Sequence, residues 1–134
     1  MNSDAPYVFI VDDEPSVREC LCRLARSAGY QAEAFGDARD FLRRAPHDGV
    51  GCLVLDLQLP ELNGLELQQA LVERGDCLPI IFVSGHGDIP SSVRAMRSGA
   101  VDFVTKPYDD LALLDTITLA VRRCAAERKE QAEL

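Results

Sequence analysis

Four short, largely apolar runs that each stop at a polar residue constrain this chain more than any other feature. Tyr7-Val8-Phe9-Ile10-Val11 stops at Asp12 and Asp13, and Cys52-Leu53-Val54-Leu55 stops at Asp56. Ile80-Ile81-Phe82-Val83 stops at Ser84, and Val101-Asp102-Phe103-Val104-Thr105 stops at Lys106 and Pro107. A run of this kind reads as a buried parallel strand that carries its terminal residue to one edge of a sheet. If the strands lie side by side, three carboxylates, a hydroxyl and an ammonium meet at that edge.

The segments between the runs have helical spacing. Pro15 suits a first helical turn. Val17, Cys20, Leu21, Leu24, Ala25 and Ala28 recur on one face, and Gly29 closes that helix. Tyr30 to Phe35 alternates weakly and reads as an edge strand. Asp37 caps a short helix bearing Phe41 and Leu42. Pro60 and Gly64 break the loop after the strand from about Val50. Asn63 with Glu66 forms a capping box for a helix with Leu67, Ala70 and Leu71. Asp88 caps a helix with Pro90 in its first turn, Val93 and Met96 on its inner face, and Gly99 at its end. A last helix carries Leu111, Leu114, Ile117 and Val121. Strands alternating with helices of these lengths predict an α/β fold, a parallel sheet with right-handed crossovers and helices on both faces. Ligands of such sheets bind beyond the carboxyl ends of the strands. Periodicity leaves the strand order open.

Composition limits the remaining classes. The 134 residues suit one domain, and 47% hydrophobic content is that of a globular protein. A net charge of -8 argues against a DNA-binding surface on this domain. No apolar stretch approaches the roughly 20 residues that span a bilayer, and residues 1–4 begin no secretory signal. The five cysteines, Cys20, Cys22, Cys52, Cys77 and Cys124, include no CxxC pair and read as reduced thiols, which fits the cytoplasm. The stretch from Arg122 to Leu134 is charged and helix-favouring, either a frayed helix end or the start of a linker.

The clustered acids carry the chemistry. Two carboxylates about 4 Å apart repel by roughly 1 kcal/mol in water and about 4 kcal/mol at an effective dielectric near 20. One lysine cannot compensate three acids, whereas Mg2+ adds two charges and prefers oxygen ligands. A carboxylate is also a nucleophile toward phosphoryl donors. Phosphoryl transfer needs positioning and charge neutralisation, which a metal, a lysine and a hydroxyl supply. Gly85 leaves the approach beside Ser84 open. Taken alone, Asp12 and Asp13 would suit helix capping, Ser84 a strand-end hydroxyl and Phe103 an ordinary core aromatic.

Four segments in this order and spacing, Val8–Glu14, Leu53–Pro60 with Gly64, Phe82–Asp88 and Gly99–Pro107, resemble the receiver domain of two-component response regulators. The resemblance runs from about Tyr7 to Val121. The Gly85–Asp88 and Gly99–Pro107 segments are most similar to the FixJ-like branch, whose members usually join a receiver to a LuxR-type helix-turn-helix. The resemblance implies a doubly wound (βα)5 flavodoxin-like fold with five parallel strands in order 2-1-3-4-5. It makes Asp56 the phosphoacceptor. Asp13 and Asp56 then bind Mg2+ directly, with the Gln58 backbone carbonyl as a further ligand and Asp12 acting mainly through water. Lys106 pairs with phosphoryl oxygens, Ser84 is the switch hydroxyl, Phe103 the aromatic that turns inward with it, and Lys106–Pro107 a cis peptide. Gln58 and His86, two positions after Asp56 and Ser84, read either as exposed loop residues or, by a separate hypothesis, as bordering the path of the hydrolytic water and tuning the phosphoryl lifetime.

On this resemblance, residues 1–121 are the receiver and 122–134 the helix end and linker to a missing DNA-binding output domain. The implied partners are a sensor histidine kinase and, after phosphorylation, a second copy bound through the helix 88–98 and the strand from Val101. No membrane and no external substrate turnover are implied. Two alternatives stay within reach: a free-standing receiver or phosphorelay intermediate, and a magnesium-dependent phosphohydrolase. The hydrolase would want a second acid at the position of Gln58. A flavodoxin-like FMN binder would want a hydroxyl- and glycine-rich phosphate loop, where Asp12, Asp13 and Glu14 would repel a phosphate.

Overall fold

A computed structural model describes residues 5–44, 46–85 and 89–132. The elements alternate as β1 (Tyr7–Val11), α1 (Pro15–Ser27), β2 (Gln31–Phe35), α2 (Ala38–Arg43), β3 (Gly51–Leu55), α3 (Gly64–Glu73), β4 (Ile80–Ser84), α4 (Ile89–Arg97), β5 (Asp102–Thr105) and α5 (Asp110–Ala132). All pairings are parallel, and the strand order is β2-β1-β3-β4-β5. This is the order that the resemblance implies.

The central strands are apolar along their whole length because both faces are covered. Phe9 and Val11 of β1, Leu53 and Leu55 of β3, and Phe82 of β4 pack against Phe41 of α2, Leu67 and Leu71 of α3, and Ala95 of α4. The alternate residues, Val8, Ile10, Cys52, Val54, Ile81 and Val83, meet Leu21, Cys22 and Ala25 of α1 and Leu113, Ile117 and Ala120 of α5. Full burial of each large aliphatic side chain contributes about 1.5–3 kcal/mol. β2 is an edge strand with no fully buried residue, as its weak alternation suggests.

Local signals hold at several helix ends. The Asp37 carboxylate accepts the Asp40 amide at 2.8 Å, and Asn63 and Glu66 form a reciprocal capping box. Gly29 and Gly99 take positive φ just beyond α1 and α4. The proposed cap Asp88 lies outside the described residues. α5 runs unbroken to Ala132, so residues 122–132 continue one helix, with Cys124 buried and Arg128 paired with Asp48 at 3.0 Å.

Five apolar positions expected on the helix faces are exposed. Val93 and Met96 of α4 are 40% and 45% exposed, and the buried residue of that helix is Ala95. A small side chain at the contact lets α4 lie close to the sheet, and its larger apolar residues then face out. Leu111 is also exposed. The inner face of α5 is set by Leu113, Ile117, Ala120, Val121 and Cys124, a stripe at helical spacing that excludes position 111. In α1, Cys22 is buried and Cys20 exposed, and Ala28 is the exposed C-cap. Gly64 starts α3 instead of breaking a loop.

The difference is measurable by urea unfolding. Met96→Ala and Val93→Ala are each expected to change stability by no more than about 0.5 kcal/mol. Leu67→Ala, at a fully buried position, is expected to cost about 2–5 kcal/mol.

Candidate functional site

Strand register builds the site. Val11 stands opposite both Phe35 and Leu55, so the residues that follow β1 and β3 leave the sheet side by side. The Asp12 amide donates to the Phe35 carbonyl at 3.2 Å, and the Asp56 amide to the Val11 carbonyl at 3.0 Å. Leu55 pairs with Phe82 and Ser84 with Thr105, which brings the ends of β4 and β5 to the same edge. The Lys106 amide donates to the Ser84 carbonyl at 3.0 Å and starts the turn through the cis Lys106–Pro107 peptide.

The acidic cluster is real. Asp12, Asp13 and Asp56 each place a carboxylate oxygen within 4.8 Å of the others. Asp12 and Asp56 are buried and Asp13 is exposed. Lys106 Nζ lies 3.2 Å from Asp12 Oδ2 and 3.6 Å from Asp56 Oδ2. The remaining oxygens are also engaged: Asp12 Oδ1 accepts the Glu14 amide at 2.9 Å, and Asp56 Oδ1 the Gln58 amide at 3.0 Å. Three hard oxygen donors in a net-negative pocket open on the Asp13 side fit a divalent cation such as Mg2+.

Burial, more than the balance of neighbouring charges, disfavours the ionised form of Asp56. Burial pushes the Asp56 carboxyl above its ordinary range, and the like charges of Asp12 and Asp13 add to it. The Gln58 amide and Lys106 work in the other direction without overcoming it. For Lys106, burial is the largest influence and acts downward, yet Asp12, Asp56 and Glu14 together raise its pKa. One ammonium divided among several acids gains more than it returns to any one of them.

Ser84, Phe103 and Gln58 stand at the end of β4, on β5 and in the loop after β3. Ser84 is buried at the end of β4. Phe103 is partly buried on β5, its ring stacked on Phe82 with centroids 5.9 Å apart. Gln58 has an exposed side chain, and its backbone touches Asp56. His86 lies outside the described residues. Among the described residues, a Cβ at Gly85 would meet Lys106 Cβ alone, at 3.8 Å.

The supporting contacts of two residues, Gly64 and Arg18, are not visible in the sequence. A Cβ on Gly64 would stand 2.5 Å from the Asp56 carbonyl and 3.0 Å from Leu57 Cα and Phe82, so only glycine lets α3 begin beneath the acidic loop. Gly64 stood in the motif, but its contact depends on tertiary approach. Arg18 Nη1 donates to the Asp12 carbonyl at 2.8 Å. No local pattern distinguishes Arg18 from the other arginines of α1.

The comparisons agree with this geometry. Residues 8–118 match the response regulator receiver domain. The chain belongs to that family. It is 48% identical over 129 residues to nodulation protein W of Bradyrhizobium diazoefficiens, covering 96% of this chain and 57% of that protein. The structure of response regulator StyR superposes with a TM-score of 0.89 at 46% identity, covering 96% of this chain and 65% of StyR. The structure of FixJ-N gives 0.80 at 38% identity, covering 87% and 94%. The chain is thus the receiver domain of a two-component response regulator, and it spans 57% of the length of nodulation protein W and 65% of that of StyR. Among the described residues, no helix is long and apolar enough to cross a membrane.

The raised Asp56 pKa has a testable sign. A carboxyl with a higher pKa folded than unfolded favours folding below its unfolded value, about 3.9, and loses that contribution as pH rises through the folded value. At neutral pH the ionised Asp56 therefore opposes folding. Asp56→Asn is expected to melt higher than wild type at pH 7 in EDTA, with the gap closing as pH falls through the carboxylate range. A lower melting temperature at pH 7 would contradict this.

Proposed function

We propose that the domain is a phosphorylation-controlled switch in which Asp56 accepts a phosphoryl group from a sensor histidine kinase. An Asp56 oxygen attacks phosphorus, the P–N bond of the kinase phosphohistidine breaks, and the leaving imidazole nitrogen takes up a proton. The observation that carries this reading is Lys106 set between Asp12 and Asp56, where its ammonium is placed to meet phosphoryl oxygens. Asp13, Asp56 and the Gln58 carbonyl would hold Mg2+, with Asp12 linked through water. Bound there, the cation supplies charge neutralisation for phosphoryl oxygens.

Ser84 and Phe103 are the proposed switch pair. A phosphoryl group on Asp56 draws the Ser84 hydroxyl inward, and Phe103 follows into the space released. The consequence reaches α4 and β5, where Ile89, Val93 and Met96 stand exposed at helical spacing, an apolar stripe suited to a second copy. Output to DNA would run through a C-terminal domain joined after residues 122–134. Gln58 and His86 are proposed to tune the phosphoryl lifetime. The five free thiols suit a cytoplasmic site of action. The chain would modify itself and turn over no external substrate. The position of Gln58, two residues after Asp56, disfavours a phosphohydrolase, which would place a second acid there.

Incubation with acetyl phosphate and Mg2+ followed by intact mass tests the reading. One added phosphoryl group is expected, lost in Asp56→Asn and on removal of Mg2+ with EDTA. Sedimentation with an acyl-phosphate analogue should then show a dimer. No mass gain would overturn the phosphoacceptor assignment, and a mass gain without dimer would overturn the α4–β5 output alone.

A further inference from the structure

Asp12 is held through its backbone and through its side chain alike. Its amide donates to Phe35 at 3.2 Å, its Oδ1 accepts from the Glu14 amide at 2.9 Å and its Oδ2 faces Lys106 at 3.2 Å. Its carbonyl accepts from Arg18 Nη1 at 2.8 Å. That last bond comes from a half-buried guanidinium on α1. The same Nη1 lies beside Gly36, where a Cβ would stand 3.3 Å away. Arg18 thus ties α1 to the end of β1 across the turn after β2.

The carbonyl that Arg18 grips belongs to the Asp12–Asp13 peptide. A peptide is planar, so fixing its carbonyl direction fixes the plane from which Asp13 emerges. Asp13 is exposed, and among the described residues no hydrogen bond steadies its carboxylate. Its aim toward Asp56 is therefore set by the backbone. A guanidinium suits this task because it stays charged and offers donors in a rigid plane, whereas an ammonium is a point charge on a flexible stem.

We infer that Arg18 is a positioning residue: by holding the Asp12–Asp13 peptide it aims Asp13 at the place a divalent cation shares with Asp56, and it thereby sets the affinity for that cation. The inference rests on the reading of the acidic cluster as a Mg2+ site. Positioning and bare charge have opposite signs here. A positive charge near the cluster would repel Mg2+, so removing charge alone would tighten binding, whereas losing the aim weakens it.

Mg2+ titration followed through backbone amide NMR signals, in wild type, Arg18→Met, Arg18→Lys and Gly36→Ala, separates these effects. Arg18→Met and Arg18→Lys are both expected to weaken Mg2+ binding about tenfold, the lower range for loss of a group that supports a metal ligand. Gly36→Ala keeps the guanidinium but displaces it by a few tenths of an ångström, and should shift affinity in the same direction by less. In phosphorylation by acetyl phosphate, the Mg2+ concentration for half-maximal rate should rise while the rate at saturating Mg2+ stays at the wild-type level. Unchanged affinity in Arg18→Met, tighter binding in it, or a lost plateau with unchanged affinity would each overturn the role. If Arg18→Met loses its amide dispersion, Gly36→Ala decides, and unchanged affinity there overturns the role. Wild-type protein that binds no Mg2+ would overturn the cation-site reading itself, whereas normal wild-type binding with unaffected variants overturns only Arg18.

Discussion

The Lys106 ammonium, 3.2 Å from Asp12 and 3.6 Å from Asp56, is the contact on which the site depends. It lets two buried carboxylates occupy one sheet edge, where at about 4 Å and an effective dielectric near 20 their repulsion would be roughly 4 kcal/mol. Burial holds the Asp56 pKa above its ordinary range despite Lys106, and Asp13 adds a third carboxylate to the cluster. The fold maintains this arrangement through the parallel register that ends β1 and β3 together and through Gly64, whose missing side chain lets α3 support the Asp56 loop. A site with surplus negative charge and hard oxygen donors is poised for a cation, and through it for an anionic phosphoryl group.

The route from this edge to the surface is short. Ser84 ends β4 beside Asp56's strand, its carbonyl receives the Lys106 amide, and its neighbour on β5 is Thr105, two residues from Phe103. Beyond lies α4, which buries only Ala95 and receives a side-chain hydrogen bond from Gln68 of α3 to the Ala95 carbonyl at 3.0 Å. An element with so few buried contacts belongs to the low-stability end of the fold, where responsive segments are found. In the proposed switch, small displacements of Ser84 and Phe103 would meet little resistance from α4.

Much of this is legible in the sequence alone. The central strands announced themselves because both-sided burial makes them apolar throughout, and the polar residues after β1, β3, β4 and β5 named Asp12, Asp13, Asp56, Ser84 and Lys106. Capping at Asp37 and Asn63 was legible because it depends on residues three apart. What escaped depended on close approach between elements. Ala95 gives no hydrophobic signal, yet its small size seats α4 and turns Val93 and Met96 outward. Leu111 resembles any inward leucine until the turn into α5 sets the helix phase. Gly64 and Arg18 matter through contacts with Asp56 and Asp12, whose strands they meet only in the folded chain.

If surplus negative charge is the organising constraint, relieving it must be visible in the whole domain's stability. The most direct measurement is the melting temperature of the wild-type domain against Mg2+ concentration at neutral pH, beside Asp56→Asn. The account predicts a saturable rise for wild type, following the mass-action gain for a ligand that binds the folded state, and its near-disappearance in Asp56→Asn. A wild-type melting temperature that ignores Mg2+, or an equal rise in Asp56→Asn, would contradict it.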